Sequence, residues 1–345
     1  MANQLLIDIF SDDVHDAGSK ARNDVANILN NNGFNEVVMF NRSDNSLKRI
    51  IQMIRANVKI GKNINNGDLI VMQYPYKATV MKAFISRING IKKRKQIKLI
   101  ILLHDVLYLR EIYSTEKERN LLKRTEVSIF NSADTIIVHN HIMKEELLQN
   151  GVNKPMVELE LFDYIYEGHS ITKNNDDKTH IIFAGNLSEE KSGFIYNNAE
   201  LKNCILELYG SNINIKRCAH NYHGSFPPEE LIEKMQGDYG LIWDGPSIDG
   251  CCGNYGEYMR YNNPHKLSLY IAAELPVIVW KESAIADFVR NNHIGVAVSS
   301  LREVDELPNK NSDEYRIMCY NIKSMAQRVR NGEYLMDCLE TIYGI

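Results

Sequence analysis

Short apolar runs with the length of buried strands alternate with longer amphipathic stretches along most of the 345-residue chain. This alternation predicts parallel strands joined by crossover helices, because parallel neighbours need a long connection. Helical periodicity is clearest at 18–32 and 46–58. The strands predicted for the first half of the chain span residues 5–10, 36–40, 68–74, 97–105 and 134–140. The first half is therefore predicted to form a doubly wound, Rossmann-like sheet.

The alternation restarts after a polar stretch at 167–180. The second set of predicted strands spans residues 180–186, 205–210, 239–245, 276–280 and 294–299. A chain of this length usually forms two domains, each with a core that needs no disulfide or structural metal. We expect an α/β protein with Rossmann-like domains at 1–165 and 178–312, and terminal helices at 313–345 that pack back on the first domain.

Ligands of open parallel sheets bind beyond the carboxyl ends of the strands. Two doubly wound domains are therefore expected to face each other across a cleft, and residues directly after strands carry the functional predictions. The alternative is two independent domains, which the short linker disfavours. A dinucleotide-dependent dehydrogenase is disfavoured too, because no G-x-G-x-x-G pattern follows the first strand.

Composition limits which partners and which cellular location we expect for the protein. The net charge of −4 argues against a general nucleic-acid binder. The six cysteines form no C-x-x-C pair, which disfavours a zinc site and fits a reducing cytoplasm. The N-terminus lacks the features of a signal peptide, and no stretch approaches the ~20 apolar residues of a membrane span. We expect a cytoplasmic protein whose membrane contact, if any, is peripheral.

Polar residues follow the first predicted strand at 11–19. Asp13 and Asp16 are candidates for a general base or a sugar contact. Gly18 and Ser19 begin a helix whose N-terminus favours an anion, so they are candidate contacts of a phosphorylated substrate. The alternative interpretation is a solvated loop with a helix cap.

His104 and Asp105 end the fourth predicted strand, where an apolar run delivers them to the edge of the sheet. Either side chain can act as a general base toward a hydroxyl, and His104 can also bind a sugar. The alternative for Asp105 is a cap on the next helix.

The first strand of the second half ends in Gly185 and Asn186, with Lys191 just behind. Glycine allows a ligand to approach the backbone, and Asn186 or Lys191 can reach a phosphate or a ribose. A plain strand-to-helix turn would use the same residues.

The segment 243–266 is rich in glycine, asparagine and tyrosine, and it leads into a helix at about His265. Long loops in compact domains are more often functional than merely flexible. Lys266 lies in the first turn of that helix, where its charge adds to the helix dipole in binding a diphosphate. The predicted ligand contacts of this segment are Trp243, Asp244, Tyr255, Asn263, His265 and Lys266.

The stretch 82–98 carries seven basic residues and no acidic one, with apolar residues interleaved. Such a stretch is typical of contact with an anionic membrane, here through Lys92, Lys93, Arg94 and Lys95. The alternative is a solvated helix face. Nucleic acid is disfavoured because no reader motif accompanies the charges.

Several motifs resemble those of bacterial β-1,6-galactofuranosyltransferases of O-antigen and capsule assembly. They are HDAGSKARNDV, LLHDV, FAGNLSEEKSGFIY, GLIWDG and, above all, YNNPHKLSLYIAAELPVIVW. A more distant resemblance connects them to the glucosyltransferases that extend GlcNAc on serine-rich adhesins. The resemblance covers residues 8 to 335 approximately.

The resemblance implies the GT-B architecture, with a UDP-sugar on the second domain and the acceptor on the first. It implies catalysis without metal or other cofactor. His265 and Lys266 match a Tyr-Lys pair at the diphosphate of the adhesin enzymes, and Gly18 and Ser19 fall near their donor-contacting loop. The E-x(7)-E motif of many retaining relatives is missing, which favours inversion.

The predicted function is transfer of galactofuranose from its UDP donor to a sugar hydroxyl of a growing, lipid-linked surface glycan. Lys266 would stabilise the leaving UDP, and Asp105 or Asp13–Asp16 would deprotonate the acceptor. One alternative is a UDP-glucose enzyme acting on GlcNAc of a glycoprotein or glycolipid. Another is a catalytically silent UDP-sugar-binding subunit. Apolar stretches in the terminal helices allow a homo-oligomer.

Overall fold

The chain forms two compact units in the computed structural model. Unit 1 comprises Met1–Val14, Gly18–Glu160 and Leu335–Ile345, and unit 2 comprises His15–Ala17 and Leu161–Tyr334. The structure describes residues 4–10, 17–41, 64–75, 78–110, 115–168, 171, 176–197 and 203–344. The helix predicted over 46–58 lies outside these residues.

Unit 1 contains a six-stranded sheet whose described pairings are all parallel. The strands follow the order β2-β1-β3-β4-β5-β6. After β2 the chain crosses to the other side of β1, where β3 to β6 are added in sequence order. Its strands are β1 (Gln4–Phe10), β2 (Phe34–Asn41), β3 (Leu69–Tyr74), β4 (Lys98–Leu103), β5 (Thr135–Val138) and β6 (Met156–Glu158). Its first helices are α1 (Ala17–Asn31), α2 (Ala78–Lys92), α3 (Glu116–Phe130) and α4 (His141–Gln149).

The central strands of this sheet are buried on both faces. All six residues of β3 and five of the six in β4 are buried. Strands covered by helices on both sides have no solvated face, so they appear as continuous apolar runs rather than as an alternation. This is why 97–105 could be recognised as a strand, and it sends the chain to His104 at the carboxyl edge of the sheet.

Unit 2 repeats the doubly wound arrangement with the strand order β12-β11-β10-β7-β8-β9. Its strands are β7 (Thr179–Asn186), β8 (Cys204–Ser211), β9 (Asn221–Gly224), β10 (Tyr239–Ile242), β11 (Val277–Trp280) and β12 (Gly295–Val298). Its helices are α5 (Glu189–Ser192), α6 (Pro228–Lys234), α7 (Gly253–Tyr258), α8 (His265–Ala272), α9 (Ala286–Asn291) and α10 (Asp313–Asn331). The predicted α/β fold class, with two Rossmann-like halves, is confirmed.

The C-terminal helices divide between the units, whereas both were expected to pack on the first domain. α10 belongs to unit 2, where the Tyr315 hydroxyl donates to the Asp238 carbonyl (2.8 Å) and Arg330 donates to the Ala272 carbonyl (2.8 Å). The final helix, α11 (Glu333–Tyr343), belongs to unit 1 from Leu335 onward. There the Cys338 thiol lies 3.4 Å from the Glu158 carbonyl. No helix in the described part of the chain is long and apolar enough to cross a membrane.

Candidate active site

Lys266 lies in the first turn of α8, which begins at His265 directly after Pro264. Proline suits the entry to a helix because its fixed φ is compatible with the first turn. No side chain caps this terminus, and no acidic residue occupies the first turn. α8 therefore combines a positive helix terminus and a lysine in one turn, and both favour an anion.

The Lys266 ammonium is mostly buried, with a side-chain exposure of 12%. Its Nζ lies 2.9 Å from the Asp244 carboxylate and 3.4 Å from the Trp243 carbonyl. The Phe183 ring lies beneath it, 4.2 Å from Nζ to the ring centroid. Burial lowers the pKa of Lys266, nearby Lys191 lowers it further, and Asp244 acts in the opposite direction. The site is a sequestered cation held by one carboxylate.

Two glycines give the Lys266 side chain its room. A Cβ on Gly185, at the end of β7, would lie 3.0 Å from the Lys266 Cε. Gly210 pairs with Gly185 across β7 and β8, and a Cβ on Gly210 would lie 1.7 Å from the Gly185 carbonyl oxygen. Their φ values of +152° and +141° are ones that other residues rarely adopt. The glycines therefore let the strands and the lysine approach each other closely.

A second cation lies beside the first. The Lys191 Nζ lies 5.4 Å from the centroid of the Tyr255 ring, and its charge is close enough to act on Lys266. The Lys191 carbonyl accepts a hydrogen bond from the Gly245 N–H (2.7 Å), which ties α5 to the loop after β10. Gly185, Lys191, Asp244, Tyr255 and Lys266 are thus brought together, as the sequence predicted for a phosphate-binding site.

Two other predicted contacts make hydrogen bonds within the protein. The Trp243 side chain is fully buried and its Nε1 donates to the Ser247 carbonyl (2.9 Å). Only the Trp243 carbonyl faces Lys266. The Asn186 side chain accepts from the Ser188 N–H (3.0 Å) in a turn at the end of β7. Turns at the exposed ends of strands commonly use asparagine in this way.

His265 turns away from the lysine and into an aromatic environment within unit 2. Its ring lies 5.3 Å from that of Tyr164 and 6.2 Å from that of Phe162, centroid to centroid. Its Nε2 lies 3.4 Å from the Asp163 carbonyl. Asn263 is buried just before the helix. The structure thus places the two residues around the entry to α8, with the His265 ring packed on Tyr164.

Phe183 is the site residue that the sequence did not reveal. It lies in the interior of β7 and is fully buried. An aromatic residue in an apolar strand is normally a core residue, so no pattern distinguished it. Its ring face supports the ammonium by a cation–π contact, which is worth more in a desolvated site than in water.

In unit 1, His104 is held by a buried glutamine at the end of β3. The Gln73 Nε2 donates to the Arg22 carbonyl (3.1 Å), and the Gln73 Oε1 lies 2.5 Å from the His104 Nε2. Since the glutamine oxygen only accepts, the imidazole Nε2 must carry the proton. In the neutral ring, Nδ1 is then the nitrogen that accepts a proton.

Asp105 forms an ion pair with Arg110, at 2.9 Å between Oδ2 and the guanidinium. Both side chains are partly exposed. Buried Glu126 organises the same segment by accepting from the Leu107 N–H (2.9 Å) and the Tyr108 N–H (2.8 Å). Burial raises the pKa of Glu126, against the effect of these hydrogen bonds. Because of its ion pair with Arg110, the Asp105 carboxylate already has a positively charged partner.

The remaining predicted residues of the N-terminal segment are Asp13, Asp16, Gly18 and Ser19. Gly18 and Ser19 lie in the first turn of α1, and Ser19 is buried. Asp13 and Asp16 lie outside the described residues. Among the described residues, no group of three His, Cys, Asp or Glu side chains is arranged to hold a metal ion. Metal independence stays a prediction.

The basic stretch differs from the amphipathic membrane face that was expected. Its large apolar residues point into unit 1, since Phe84 and Ile88 are buried. Lys92 forms an ion pair with Asp134 at 2.6 Å, and the Lys95 ammonium donates to the Ile64 carbonyl. The exposed basic side chains of the stretch are Lys82, Arg87, Lys93, Arg94 and Lys98.

Comparison with known proteins identifies the family. Residues 3–161 match the N-terminal domain, and residues 181–342 the C-terminal domain, described as glucosyltransferase 3-like. The beta-1,6-galactofuranosyltransferase WbbI of Escherichia coli K12 is 32% identical over 95% of this chain and 94% of its own length. The chain belongs to the glucosyltransferase 3-like family. Glucosyltransferase 3 of Streptococcus gordonii is 26% identical over 91% of this chain and 90% of its own length.

The fold agrees with this membership. The lipopolysaccharide outer core galactosyltransferase WaaB superposes with a TM-score of 0.62 over 100% of this chain and 99% of its own, at 10% identity. The fold is of the GT-B type, and the protein is a glycosyltransferase.

Gly185→Ala is expected to displace the Lys266 side chain, because the new methyl group would lie only 3.0 Å from its Cε and the φ of +152° disfavours alanine. We expect about tenfold weaker binding of UDP, equivalent to about 1.4 kcal/mol, measured by calorimetry. Gly224→Ala is a matched control, since Gly224 also has a positive φ (+109°) but only ordinary contacts with Phe226. Equal UDP affinity of the two variants would remove Gly185 from the site.

Proposed function

We propose that this glycosyltransferase transfers galactofuranose from UDP-galactofuranose to a sugar hydroxyl of a bacterial surface glycan, with inversion and without a metal ion. The observation that carries the donor assignment is the buried Lys266 ammonium at the N-terminus of α8, with Lys191 beside it. Two cations at a helix N-terminus suit a diphosphate. The sugar assignment is supported by the identity of 32% with a β-1,6-galactofuranosyltransferase.

The leaving group explains why these cations matter for the rate. When the bond between the sugar and UDP breaks, negative charge grows on the β-phosphate. A fixed ammonium in a water-poor site stabilises this charge without reorganisation, which is the largest contribution in many enzymes. The electrostatic role that a metal ion plays in other transferases is then supplied by Lys266, by Lys191 and by the N–H groups of α8.

For the general base we propose His104 ahead of Asp105. The bond from the His104 Nε2 to Gln73 leaves Nδ1 as the proton-accepting nitrogen, and an imidazole has a pKa suited to base catalysis near neutrality. The ion pair with Arg110 stabilises the charged form of Asp105, which makes that carboxylate a poorer base. Asp13 and Asp16 stay candidates as well.

A second candidate function is transfer of glucose from UDP-glucose to GlcNAc of a glycoprotein or glycolipid. It is favoured by the match of both domains to the glucosyltransferase 3-like family. The same diphosphate site serves either donor, because both carry UDP. A silent UDP-sugar-binding subunit is the third candidate, and it differs from both in predicting no turnover.

A panel of donors separates these functions. Release of UDP is measured with UDP-galactofuranose, UDP-galactopyranose, UDP-glucose and UDP-GlcNAc, with EDTA present and galactosyl, glucosyl and GlcNAc acceptors supplied. We expect turnover of UDP-galactofuranose alone. Preference for UDP-glucose would establish the second candidate, and UDP binding without turnover of any donor would support the third. Turnover that requires added Mg²⁺ or Mn²⁺ would contradict metal independence.

His104→Ala is expected to lower kcat by about 10²–10⁴-fold, the range for loss of a general base, while Asp105→Asn retains kcat within about tenfold. The measurement is UDP release at saturating donor and acceptor. The converse pattern, a large loss in Asp105→Asn and a small one in His104→Ala, would assign the base to Asp105.

We also propose peripheral contact with an anionic membrane, through exposed basic side chains rather than inserted apolar ones. Lys82, Arg87, Lys93 and Arg94 are exposed on α2 and just after it, and such charges are worth about 1 kcal/mol each near an anionic surface. Lys93→Glu with Arg94→Glu is expected to weaken sedimentation with phosphatidylglycerol vesicles. A matched control is Lys216→Glu with Lys234→Glu, two exposed lysines of unit 2. Equal vesicle binding by both double variants would contradict the proposal.

A further inference from the structure

Asp244 lies two residues beyond β10, and its carboxylate forms an ion pair with Lys266 at 2.9 Å. The two side chains are buried to a similar extent, with exposures of 14% for Asp244 and 12% for Lys266. A partly exposed ion pair on a protein surface contributes little, but removing one partner of a buried pair leaves an uncompensated charge. Each charge of the pair therefore depends on the other for its stabilisation.

The surroundings of Lys266 make Asp244 its principal counter-charge. The neighbouring carbonyl of Trp243 and the ring of Phe183 are neutral. Lys191 is a like charge, so it disfavours the ammonium. The Cys251 thiol is close as well, but burial raises its pKa well above the usual range, which keeps it neutral.

Two other titratable groups complete the environment. The phenol of Tyr270, on the same helix, has its pKa raised by burial and donates to the Ile182 carbonyl (3.2 Å). The His265 ring packs on Tyr164, away from the pair. Among the groups found to act on Lys266, Asp244 thus supplies the carboxylate that favours its charged form.

Burial is the largest influence on Lys266, and it lowers the pKa of the ammonium. The charge of Asp244 and its hydrogen bond both raise that pKa, against burial and Lys191. Without the carboxylate, the two remaining large influences act in the same direction. Lys266 would then lose its proton at a lower pH.

We propose that Asp244 is a positioning residue that keeps Lys266 charged and oriented in the empty site, and that a diphosphate takes over as the partner of Lys266 when the donor binds. This role rests on the proposed function, since it assumes a UDP donor. It differs from direct contact between Asp244 and the donor, which the carboxylate would disfavour, because its charge has the same sign as the phosphates.

The proposal has opposite consequences at low and at high pH. Where Lys266 is charged in any case, the Asp244 carboxylate repels the diphosphate, and removing it strengthens binding. At higher pH, affinity is lost as the pH rises through the pKa of Lys266 in the empty site. Because Asp244→Asn lowers that pKa, the variant loses affinity first. A purely structural role would weaken binding equally at every pH.

The first experiment measures UDP affinity of the wild type and Asp244→Asn by calorimetry between pH 6 and 10 in EDTA. The ratio of the two dissociation constants removes the ionisation of UDP itself. We expect the variant to bind as tightly as the wild type or a few-fold tighter at pH 6. At the alkaline end we expect it to bind about tenfold more weakly for each unit by which the Lys266 pKa falls. A ratio that does not change with pH would overturn the proposal.

Lys266→Arg provides the matched control, because a guanidinium keeps its charge throughout this range. In that background, adding Asp244→Asn should produce no alkaline loss of UDP affinity. An alkaline loss that persists in the double variant would place the titrating group elsewhere and contradict the proposal.

A ligand-free measurement separates failure of the inference from failure of the proposed function. The Lys266 side chain is titrated by NMR in protein labelled at lysine, and Lys266→Arg assigns its signal. A lower pKa in Asp244→Asn than in the wild type supports the role even if UDP does not bind, in which case only the proposed function fails. Equal pKa values in the two proteins overturn it. If Asp244→Asn does not fold, Asp244→Ser replaces it, and the same outcomes apply: a lower Lys266 pKa than in the wild type supports the role, and an equal pKa overturns it.

Discussion

A single ammonium, buried at the junction of three segments of unit 2, sets the requirements for much of its local structure. An uncompensated buried charge is expensive, so Lys266 needs a carboxylate, a carbonyl and an aromatic face around it. The end of β7 supplies Phe183 and the space above Gly185, and the loop after β10 supplies the Trp243 carbonyl and Asp244. Gly185 leaves room for the Lys266 side chain, and Gly210 beside it on β8 lets the two strands approach each other at that point.

The glycosyltransferase fold places this cation at the carboxyl edge of a parallel sheet, where open α/β sheets bind their ligands. WaaB shares the fold at only 10% sequence identity, and one fold hosts many specificities, so the fold alone does not identify the sugar. Selection is expected to come from side chains near the site, such as Tyr255 in α7. The chain is similar both to a β-1,6-galactofuranosyltransferase and to glucosyltransferase 3, two relatives whose names give different sugars.

Most of the fold was predictable because its central strands are buried on both faces and therefore stand out as apolar runs. Two strands were not predicted. β9 (Asn221–Gly224) is a largely exposed edge strand without apolar residues other than a tyrosine, and β6 (Met156–Glu158) is very short. Edge strands depend on pairing with a neighbour rather than on burial, and this pairing leaves no pattern in the sequence.

The candidate site was predictable where a residue follows a strand or begins a helix, as with Gly185, Asp244 and Lys266. Sequence position could not reveal the direction of a side chain. Trp243 turns its indole into the core, and His265 packs on Tyr164, although Lys266 is its neighbour in the chain. Phe183 could not be distinguished from other core residues, and the bond between Gln73 and His104 joins strand ends that are distant in sequence.

Stabilisation of the departing diphosphate by the Lys266 charge is the step on which the proposed mechanism depends. Its most direct test is the rate of UDP release by Lys266→Ala under saturating donor and acceptor, with EDTA present and Lys266→Arg in parallel. We expect a fall of at least ~10²-fold in the alanine variant, the scale for loss of one group that stabilises transition-state charge, and a smaller fall in the arginine variant. Near-normal turnover by Lys266→Ala would contradict it.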